Sequence, residues 1–243
     1  MGDLRGEKAM GAAQQARTAQ QAGTAQQEGT AEAAWAAGLT EVTSEAELRA
    51  LVGEPTAHAA HKTRHRLQDL DRQWLARSPF CLIATSDAQG RCDVSPKGDP
   101  AGFTHVLDDT TLVIPDRPGN RRVDGFHNVL ANPRVGLLYV LPGRGDTLRI
   151  NGRARLLRDA PFFDELIVKR NRPRLALLVE VEEVFYHCSK AFLRSDLWKP
   201  ETWEPDALPS RARMVKGLEA KDVPLEALEA HYGAGYAERL YGD

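Results

Sequence analysis

Six segments with the spacing of β-strands follow one another between residues 79 and 187. In the fifth segment, apolar Leu148 and Ile150 alternate with polar Arg149 and Asn151, which is the period-2 pattern of a strand with one buried face. The six segments are PFCLIATSD, RCDVSP, TTLVIPD, RVGLLYVLPG, DTLRINGRARLLRD and RLALLVEVEEVFYH. Because turns and only short helices separate them, they predict an antiparallel sheet closed into a small barrel.

Helical patterns flank this β-rich centre. Ser44 and Glu47 form a capping box, and Gly53 is placed to end that first helix. A long polar helix is predicted after Pro55, in AHAAHKTRHRLQDLDRQWLARS. Shorter helices are predicted in NRRVDGFHNVLAN, APFFDELIVKR and PLEALEAHYGAGYAERLY. The fold class is therefore mainly β with flanking helices (α+β).

The first residues differ from the rest of the chain. Between Gln14 and Ala31 the sequence repeats as QQARTA, QQAGTA and QQEGTA, with no apolar stripe that could be buried. A segment of this composition buries too little apolar surface to compensate the conformational entropy that it would lose on ordering. We predict a disordered low-complexity tail over residues 1–35, a barrel domain over 36–205 and a C-terminal helical extension over 206–243.

Charge and cysteine content exclude several classes of function. The 32 Lys and Arg against 34 Asp and Glu leave a formal net charge of −2, which argues against nucleic-acid binding. No segment reaches the roughly 20 apolar residues that span a bilayer, so no membrane partner is expected. Three scattered cysteines without CxxC spacing indicate neither disulfides nor a zinc knuckle, and we expect a cytoplasmic chain.

Common catalytic signatures are absent from the sequence. There is no GxSxG, GxGxxG, GxxxxGK[ST] or HExxH motif. His58, His61 and His65 could place three imidazoles on one helix side and bind zinc, but basic residues surround them and no carboxylate or Cys stands at ligand spacing. A solvated helix face is favoured, and no metal site is predicted.

The placement of cations is unusual at three points. Asn120 is a good N-cap, and Arg121 and Arg122 follow it, where the positive end of a helix dipole disfavours cations by a few tenths of a kcal/mol. An anion bound there would reverse that sign. The alternative is two solvated arginines, partly compensated by Asp124.

The other two placements are Lys190 with Arg194, and Lys97. Lys190 and Arg194 stand at i, i+4 on a predicted helix, where like charges repel weakly unless an anion lies between them; both could also point to solvent. Lys97 lies in VSPKGDP at the end of a strand. Together the three placements indicate a phosphate-bearing ligand.

Residues from about 60 to 200 resemble the FMN-binding split-barrel proteins grouped with pyridoxamine 5′-phosphate oxidase. The resemblance lies in VSPKGDP, LVIPD, the PGNRR helix start with NVLANPRVGLLYV, TLRINGRARL and HCSKAFLRSDLW. It implies an antiparallel six-stranded split β-barrel of FMN-binding type. It also implies a homodimer with the flavin sites at the subunit interface.

The resemblance also implies roles for individual residues. Arg121 and Arg122 would hold the FMN phosphate, and Lys97 would lie near the flavin or its phosphate. Backbone groups around Ser95 and around residues 114–115 would meet the ring or the ribityl chain.

Three further residues complete the implied site. Thr147 stands where relatives often have a Gln that contacts the ring. Lys190 and Arg194 would come from the second subunit or from the far wall. The implied cofactor-binding set is Ser95, Lys97, Ile114, Pro115, Arg121, Arg122, Thr147, Lys190 and Arg194.

The function implied by the resemblance is an FMN-dependent oxidoreductase acting on a small molecule, with electrons from NAD(P)H or passed to oxygen. A non-catalytic module that stores, senses or scavenges flavin would share the same site, and related barrels bind deazaflavin or haem. The end of the chain, AHYGAGYAERLYGD, lacks the Arg/His segment that grips substrate phosphate in the vitamin B6 enzyme. The C-terminal helices could form a lid or simply pack.

Overall fold

The computed structural model describes residues 38–241, so the predicted tail over residues 1–35 lies outside the described residues. The chain divides into two units, at residue 55. In the first, helix α1 spans Glu45–Val52. The Ser44 hydroxyl accepts from the Glu47 amide at 3.2 Å, the Glu47 carboxylate accepts from the Thr43 amide at 3.1 Å, and Gly53 has φ of 75°. The predicted Ser44 cap and the helix end at Gly53 are confirmed, but the Glu47 carboxylate binds the amide of Thr43 and not that of Ser44, so the reciprocal half of the predicted capping box is shifted by one residue.

The second unit is built on one antiparallel sheet. All six predicted strands form, and a seventh strand of two residues, β3, pairs with β4. The strands are β1 Phe80–Ser86, β2 Cys92–Gly98, β3 His105–Val106, β4 Thr111–Pro115, β5 Arg134–Val140, β6 Thr147–Leu157 and β7 Ala176–His187.

The strand order is β2-β1-β5-β6-β7-β4-β3. The described strands therefore form one open antiparallel sheet of seven strands, and closure into the expected six-stranded barrel is not confirmed. Among the described residues, no backbone ladder joins the β2 and β3 edges. Side chains link the β2 and β4 ends instead. The Lys97 Nζ lies 2.6 Å from the Asp116 Oδ1, and the Arg117 Nε lies 2.5 Å from the Asp99 Oδ2. Because β2 and β4 are far apart in the strand order, these pairs require the sheet to curl.

A bulge contributes to this curvature. The pairing of β6 with β7 shifts register between Asn151 and Gly152. A Cβ at Gly152 would lie 2.0 Å from the Glu180 carbonyl oxygen, so only glycine fits there. Bulges bend a strand and increase its twist, which favours curling over a flat sheet.

The core lies on the inner face of the curled sheet. Apolar side chains from five strands meet there, and burial of each contributes about 1.5–3 kcal/mol. Tyr139 is fully buried, its hydroxyl lies 3.0 Å from the Thr104 hydroxyl, and burial raises the pKa of Tyr139 well above its usual value. The strand residues of this core include Cys81, Ile83, Leu112, Ile114, Leu137, Leu148, Ile150, Val179 and Val184.

The prediction of one long helix after Pro55 is wrong. The segment forms two helices, α2 over Ala57–His61 and α3 over Asp69–Leu75. Between them the Arg64 backbone exchanges two hydrogen bonds with Val184, at 3.0 and 2.8 Å. Strand-like pairing to β7 therefore overrides local helix propensity.

This break also separates the three histidines. His58 and His61 lie in α2, but His65 lies beyond it, with its Nδ1 2.7 Å from the Glu182 carbonyl oxygen. The three imidazoles therefore do not share one helix face, so the arrangement that the zinc alternative requires is not formed.

The remaining helices follow the strands. The α-helices are α4 Asp124–Ala131, α5 Lys190–Arg194, α6 Arg211–Leu218 and α7 Leu225–Tyr232. Short 3₁₀ helices span Phe163–Leu166, Pro200–Thr202, Pro205–Ala207 and Ala234–Arg239. Helices α6 and α7 bury a small cluster of their own, made of Ala212, Val215 and Leu228. Within residues 38–241, no helix combines the length and apolar character needed to cross a membrane.

Candidate functional site

A cavity of about 750 Å³ lies along β2. Its wall is formed by β2, by the whole segment from Pro115 to Phe126, by residues 171–175 and by Tyr241. The volume falls in the range of about 300–1,000 Å³ that is typical of small-molecule and cofactor sites. The cavity is therefore large enough for a cofactor of nucleotide size.

The cavity collects part of the residue set predicted from sequence. Five of the nine residues line it: Ser95, Lys97, Pro115, Arg121 and Arg122. The other four lie elsewhere in the same chain. Ile114 and Thr147 are buried in the sheet, with exposed fractions of 1% and 3%, and Lys190 and Arg194 lie on the exposed helix α5.

The turn that carries Arg121 and Arg122 is not a helix start. Helix α4 begins at Asp124, so the expectation of an N-cap at Asn120 is wrong. The Asn120 Oδ1 accepts from the Arg122 amide at 3.0 Å and closes a turn. Arg121 and Val123 have φ of 61° and 50°, left-handed values that are uncommon outside glycine. These values prevent the helix from starting earlier, and such outliers concentrate at binding sites.

The two arginines of this turn differ in their partners. The Arg122 Nε donates to the Asp124 carboxylate, and this bond raises the pKa of Arg122. Arg121 has no acidic partner within the part of the chain that the structure describes. Arg121 therefore lines the cavity as an exposed arginine without a carboxylate partner among the described residues.

Helix α4 approaches the strands closely behind this turn. A Cβ on Gly125 would lie 3.4 Å from the Thr85 Oγ1 and 3.7 Å from the Ser95 Oγ. The Asn128 amide donates to the Thr85 hydroxyl at 3.0 Å and to the Asp93 carboxylate at 2.8 Å. This contact fixes one end of the cavity, which we call the α4 end.

Lys97 occupies the middle of the cavity wall. Its Nζ bonds to Asp116 and lies 4.9 Å from the centroid of the Phe126 ring. The ammonium group is thus neutralised by a carboxylate and held over an aromatic face. Lys97 therefore links β2 to Asp116, the residue after β4, and to Phe126 in α4.

The opposite end of the cavity is closed by a buried network around Asp99, and we call it the Asp99 end. The Asp99 side chain is 1% exposed and accepts from the Arg117 Nε and from the Tyr241 hydroxyl. Arg117 also donates to the Leu166 carbonyl at 2.8 Å. Burial, and then the bond to Asp99, raise the pKa of Tyr241 to about 12.

A basic loop over residues 169–174, with the sequence KRNRPR, borders the same end. Arg172 pairs with Asp164 at 2.6 Å and with Asp159 at 2.7 Å. Arg174 lines the cavity, and no acidic partner for it occurs among the described residues. Sequence reasoning missed this loop, although four cations in six residues were a visible signal.

Two other chemical groupings lie outside the cavity. A hydrogen bond from the Lys190 amide lowers the pKa of Cys188, and burial lowers the pKa of His187, but neither residue lines the cavity. Within residues 38–241, no group of three or more His, Cys, Asp or Glu side chains is arranged to hold a metal ion.

Comparison with known proteins gives a family match. The family model described as pyridoxamine 5′-phosphate oxidase matches residues 67–188, half of the chain. This span contains β1 to β7 and every lining residue of the cavity except Tyr241. No curated protein matches the chain.

Solved structures with a similar course of the chain include three bacterial proteins. HupZ of Group A Streptococcus is 18% identical, with a TM-score of 0.40 and coverage of 49% of this chain and 93% of that chain. An FMN-binding protein from Syntrophomonas wolfei is 14% identical, with a TM-score of 0.37 and coverage of 49% and 89%. A FAD-binding protein from Mesorhizobium loti is 18% identical, with a TM-score of 0.35 and coverage of 51% and 96%.

Proposed function

Since the chain belongs to the pyridoxamine 5′-phosphate oxidase family, we propose that it binds FMN in the cavity along β2 and acts as an FMN-dependent oxidoreductase on a small molecule. The observation that carries this proposal is the guanidinium of Arg121, a residue that lines a cavity of about 750 Å³ and has no acidic partner among the described residues. A phosphate monoester is the anion that such a group binds well, because charge-assisted hydrogen bonds to phosphate are strong.

The residues of the α4 end fit the phosphate of FMN. Arg121 offers free donors, and Arg122 becomes a second donor if it exchanges the Asp124 carboxylate for the phosphate. That exchange is easy, because the Arg122 side chain is 76% exposed and exposed ion pairs contribute only about 0–1 kcal/mol. The positive φ of Arg121 presets the turn.

The middle of the cavity fits the rest of the cofactor. Ser95, Lys97 and Pro115 line this part of the wall. FMN, when bound, supplies electron and hydride transfer, and the protein supplies binding, orientation and electrostatics. Lys97, bonded to Asp116 and lying over the Phe126 ring, holds a positive charge at a fixed place in the cavity wall.

We place Lys190 and Arg194 at the cavity of a second copy of the chain, since they lie outside the cavity of their own chain. Helix α5 is exposed, and Leu193 on it and Trp203 beyond it are exposed by 68% and 53%. Association with a second copy would cover these apolar side chains. It would also bring Lys190 and Arg194 of one copy to the cavity of the other. The FMN-loaded protein should then have the mass of a homodimer in light scattering.

The substitution Arg121→Ala tests the phosphate assignment. We expect FMN affinity, measured by quenching of flavin fluorescence on titration, to fall roughly 10- to 100-fold, the equivalent of about 1.5–3 kcal/mol for hydrogen bonds to a charged group. Arg170→Ala is the matched control, because Arg170 is also an exposed arginine at positive φ, 70°, and does not line the cavity. Equal affinities of the two variants would refute the assignment.

Turnover separates the enzyme from a flavin-binding module. FMN bound to wild-type protein should lose its absorbance near 450 nm when NADH or NADPH is added without oxygen, and regain it in air. Bound FMN that no nicotinamide donor reduces would favour storage or sensing. Protein that does not bind FMN at all would overturn the proposal.

A further inference from the structure

The C-terminal helices pack on one another and contribute one side chain to the cavity. Helices α6 and α7 bury a small core made of Ala212, Val215 and Leu228, which is separate from the core of the sheet. Among the described residues after 205, Tyr241 alone lines the cavity. The contact of this extension with the cavity therefore depends on Tyr241.

The segment that joins α7 to this contact, residues 234–241, is lightly held, and we call it the strap. It begins with a 3₁₀ helix, and the Arg239 Nη2 binds it to α7 by donating to the His231 carbonyl at 2.7 Å. Residues 236–240 are exposed. Segments with few buried contacts open locally at low free-energy cost. The strap can therefore detach from the sheet while it stays bonded to α7.

The contact of the strap with the sheet is made by a hydroxyl group. The Tyr241 hydroxyl donates to the Asp99 Oδ1, whereas the Arg117 Nε donates to the Asp99 Oδ2. The exposed Lys169 adds an ammonium group 5.2 Å from the centroid of the Tyr241 ring. Because the two donors use different carboxylate oxygens, Tyr241 can leave while Asp99 stays paired with Arg117. Opening of the strap thus preserves the ion pair that links the strand ends.

A glycine stands where the strap leaves α7. Gly233 follows the last residue of that helix and is exposed. A Cβ on Gly233 would lie 2.9 Å from the Glu229 carbonyl oxygen, so a side chain at this position would force the turn to shift. Hinges are commonly a few residues at the end of an element that absorb the change in backbone angles. Gly233 has the position and the freedom of such a hinge.

We propose that the strap is a gate: Tyr241 covers the Asp99 end of the cavity while it is bonded to Asp99, and the strap swings about Gly233 to let a small molecule pass. The gate goes beyond the proposed function and does not require the ligand to be FMN. The bond between Tyr241 and Asp99 sets the fraction of molecules that are open. Weakening this bond should therefore raise access to the wall beside it.

Thiol labelling of the full chain without ligand measures this access. Leu175→Cys is the probe, because Leu175 lines the cavity and its carbonyl accepts from the amide of Asp116, the residue before Arg117. Peptide mass spectrometry after iodoacetamide treatment gives its labelling rate, with the exposed native Cys92 as internal reference. When opening is fast relative to labelling, this rate follows the open fraction.

Two changes at Tyr241 should accelerate labelling of the probe to different extents. Tyr241→Phe removes one hydrogen bond and should raise the rate roughly fivefold. Tyr241→Ala also removes the ring and should raise it by roughly tenfold or more. Leu240→Ala is the control, because Leu240 is the preceding residue, is exposed by 52% and does not line the cavity. It should leave the rate unchanged.

Hydrogen exchange followed by mass spectrometry gives a second readout without the introduced thiol. Tyr241→Phe should speed exchange of the strap amides roughly fivefold and leave α6 unchanged, because α6 packs in its own core. Equal labelling rates with and without Tyr241→Ala would overturn the gate, as would equal acceleration by Leu240→Ala or unchanged exchange in the strap. Failure of the proposed function is distinguishable, because neither measurement uses FMN.

Discussion

Each end of the cavity has one Arg–Asp ion pair, but the pair at the Asp99 end is buried and the pair at the α4 end is exposed. At the Asp99 end, the side chains of Arg117 and Asp99 are 13% and 1% exposed; at the α4 end, those of Arg122 and Asp124 are 76% and 38% exposed. Removing one partner of a buried pair leaves an uncompensated charge and is strongly destabilising, whereas an exposed pair contributes little. One end is therefore suited to holding the curled sheet together, and the other to exchanging a carboxylate for a ligand.

The largest expected effect is that of Asp99→Ala. This change leaves Arg117 with backbone acceptors only and removes the acceptor of Tyr241, so we expect a loss of about 3–5 kcal/mol in the free energy of unfolding. Urea denaturation followed by circular dichroism measures it. Arg122→Ala, which breaks the ion pair at the exposed end, should cost less than about 1 kcal/mol.

The outcome of this pair of variants decides the comparison. Similar losses in the free energy of unfolding for the two variants would mean that the buried Asp99 pair stabilises the curled sheet no more than the exposed pair does. Asp99→Asn provides a milder variant that keeps side-chain size and one acceptor. It should lie between the wild type and Asp99→Ala.

The sequence predicts the strands well and the pairing of charges poorly. Alternation as in Leu148 to Asn151 is a local property, so all six predicted strands form. The pairs Lys97–Asp116 and Asp99–Arg117 join positions 19 and 18 residues apart in the chain, and they meet only because the sheet curls. No local pattern carries that information.

Tertiary contacts also explain the errors in the predicted helices. Arg64 leaves the predicted long helix because it pairs with Val184 of β7. Asn120 caps a turn instead of a helix because Arg121 and Val123 take left-handed backbone values. Tyr241 and Asp99 are 142 residues apart in the sequence. The C-terminal helices could be predicted from local patterns, but the contact of Tyr241 with Asp99 at the cavity could not.

A smaller effect is expected from Tyr241→Phe, which tests the buried network without removing a charge. Loss of the hydroxyl that donates to Asp99 should lower the free energy of unfolding by about 1 kcal/mol. The pKa of Tyr241 is raised from 10.0 to about 12, so its contribution is complete below pH 10 and is lost as the pH rises towards 12. The difference between wild type and variant should shrink over that window.

Ultraviolet titration checks the same residue directly. The absorbance change of phenolate formation near 295 nm, taken as wild type minus Tyr241→Phe, should have its midpoint near pH 12. A midpoint near pH 10 would show that the hydroxyl titrates as in water and is not held by Asp99. The Asp99 end would then be less closed than the pair Arg117–Asp99 indicates.

The smallest effect is expected at the exposed end, from Asp124→Asn. The variant keeps the size of the side chain but releases Arg122 from its ion pair, so FMN affinity should rise roughly 2- to 5-fold, in line with the 0–1 kcal/mol of an exposed pair. Fluorescence titration of FMN measures the change, and Asp93→Asn, at a carboxylate of the same end that Asn128 binds, is the comparison variant. Weaker binding by Asp124→Asn would mean that Asp124 orients Arg122 towards the ligand instead of competing for it. In that case the exposed pair would be part of the binding arrangement itself, and exposure alone would no longer distinguish the two ends of the cavity.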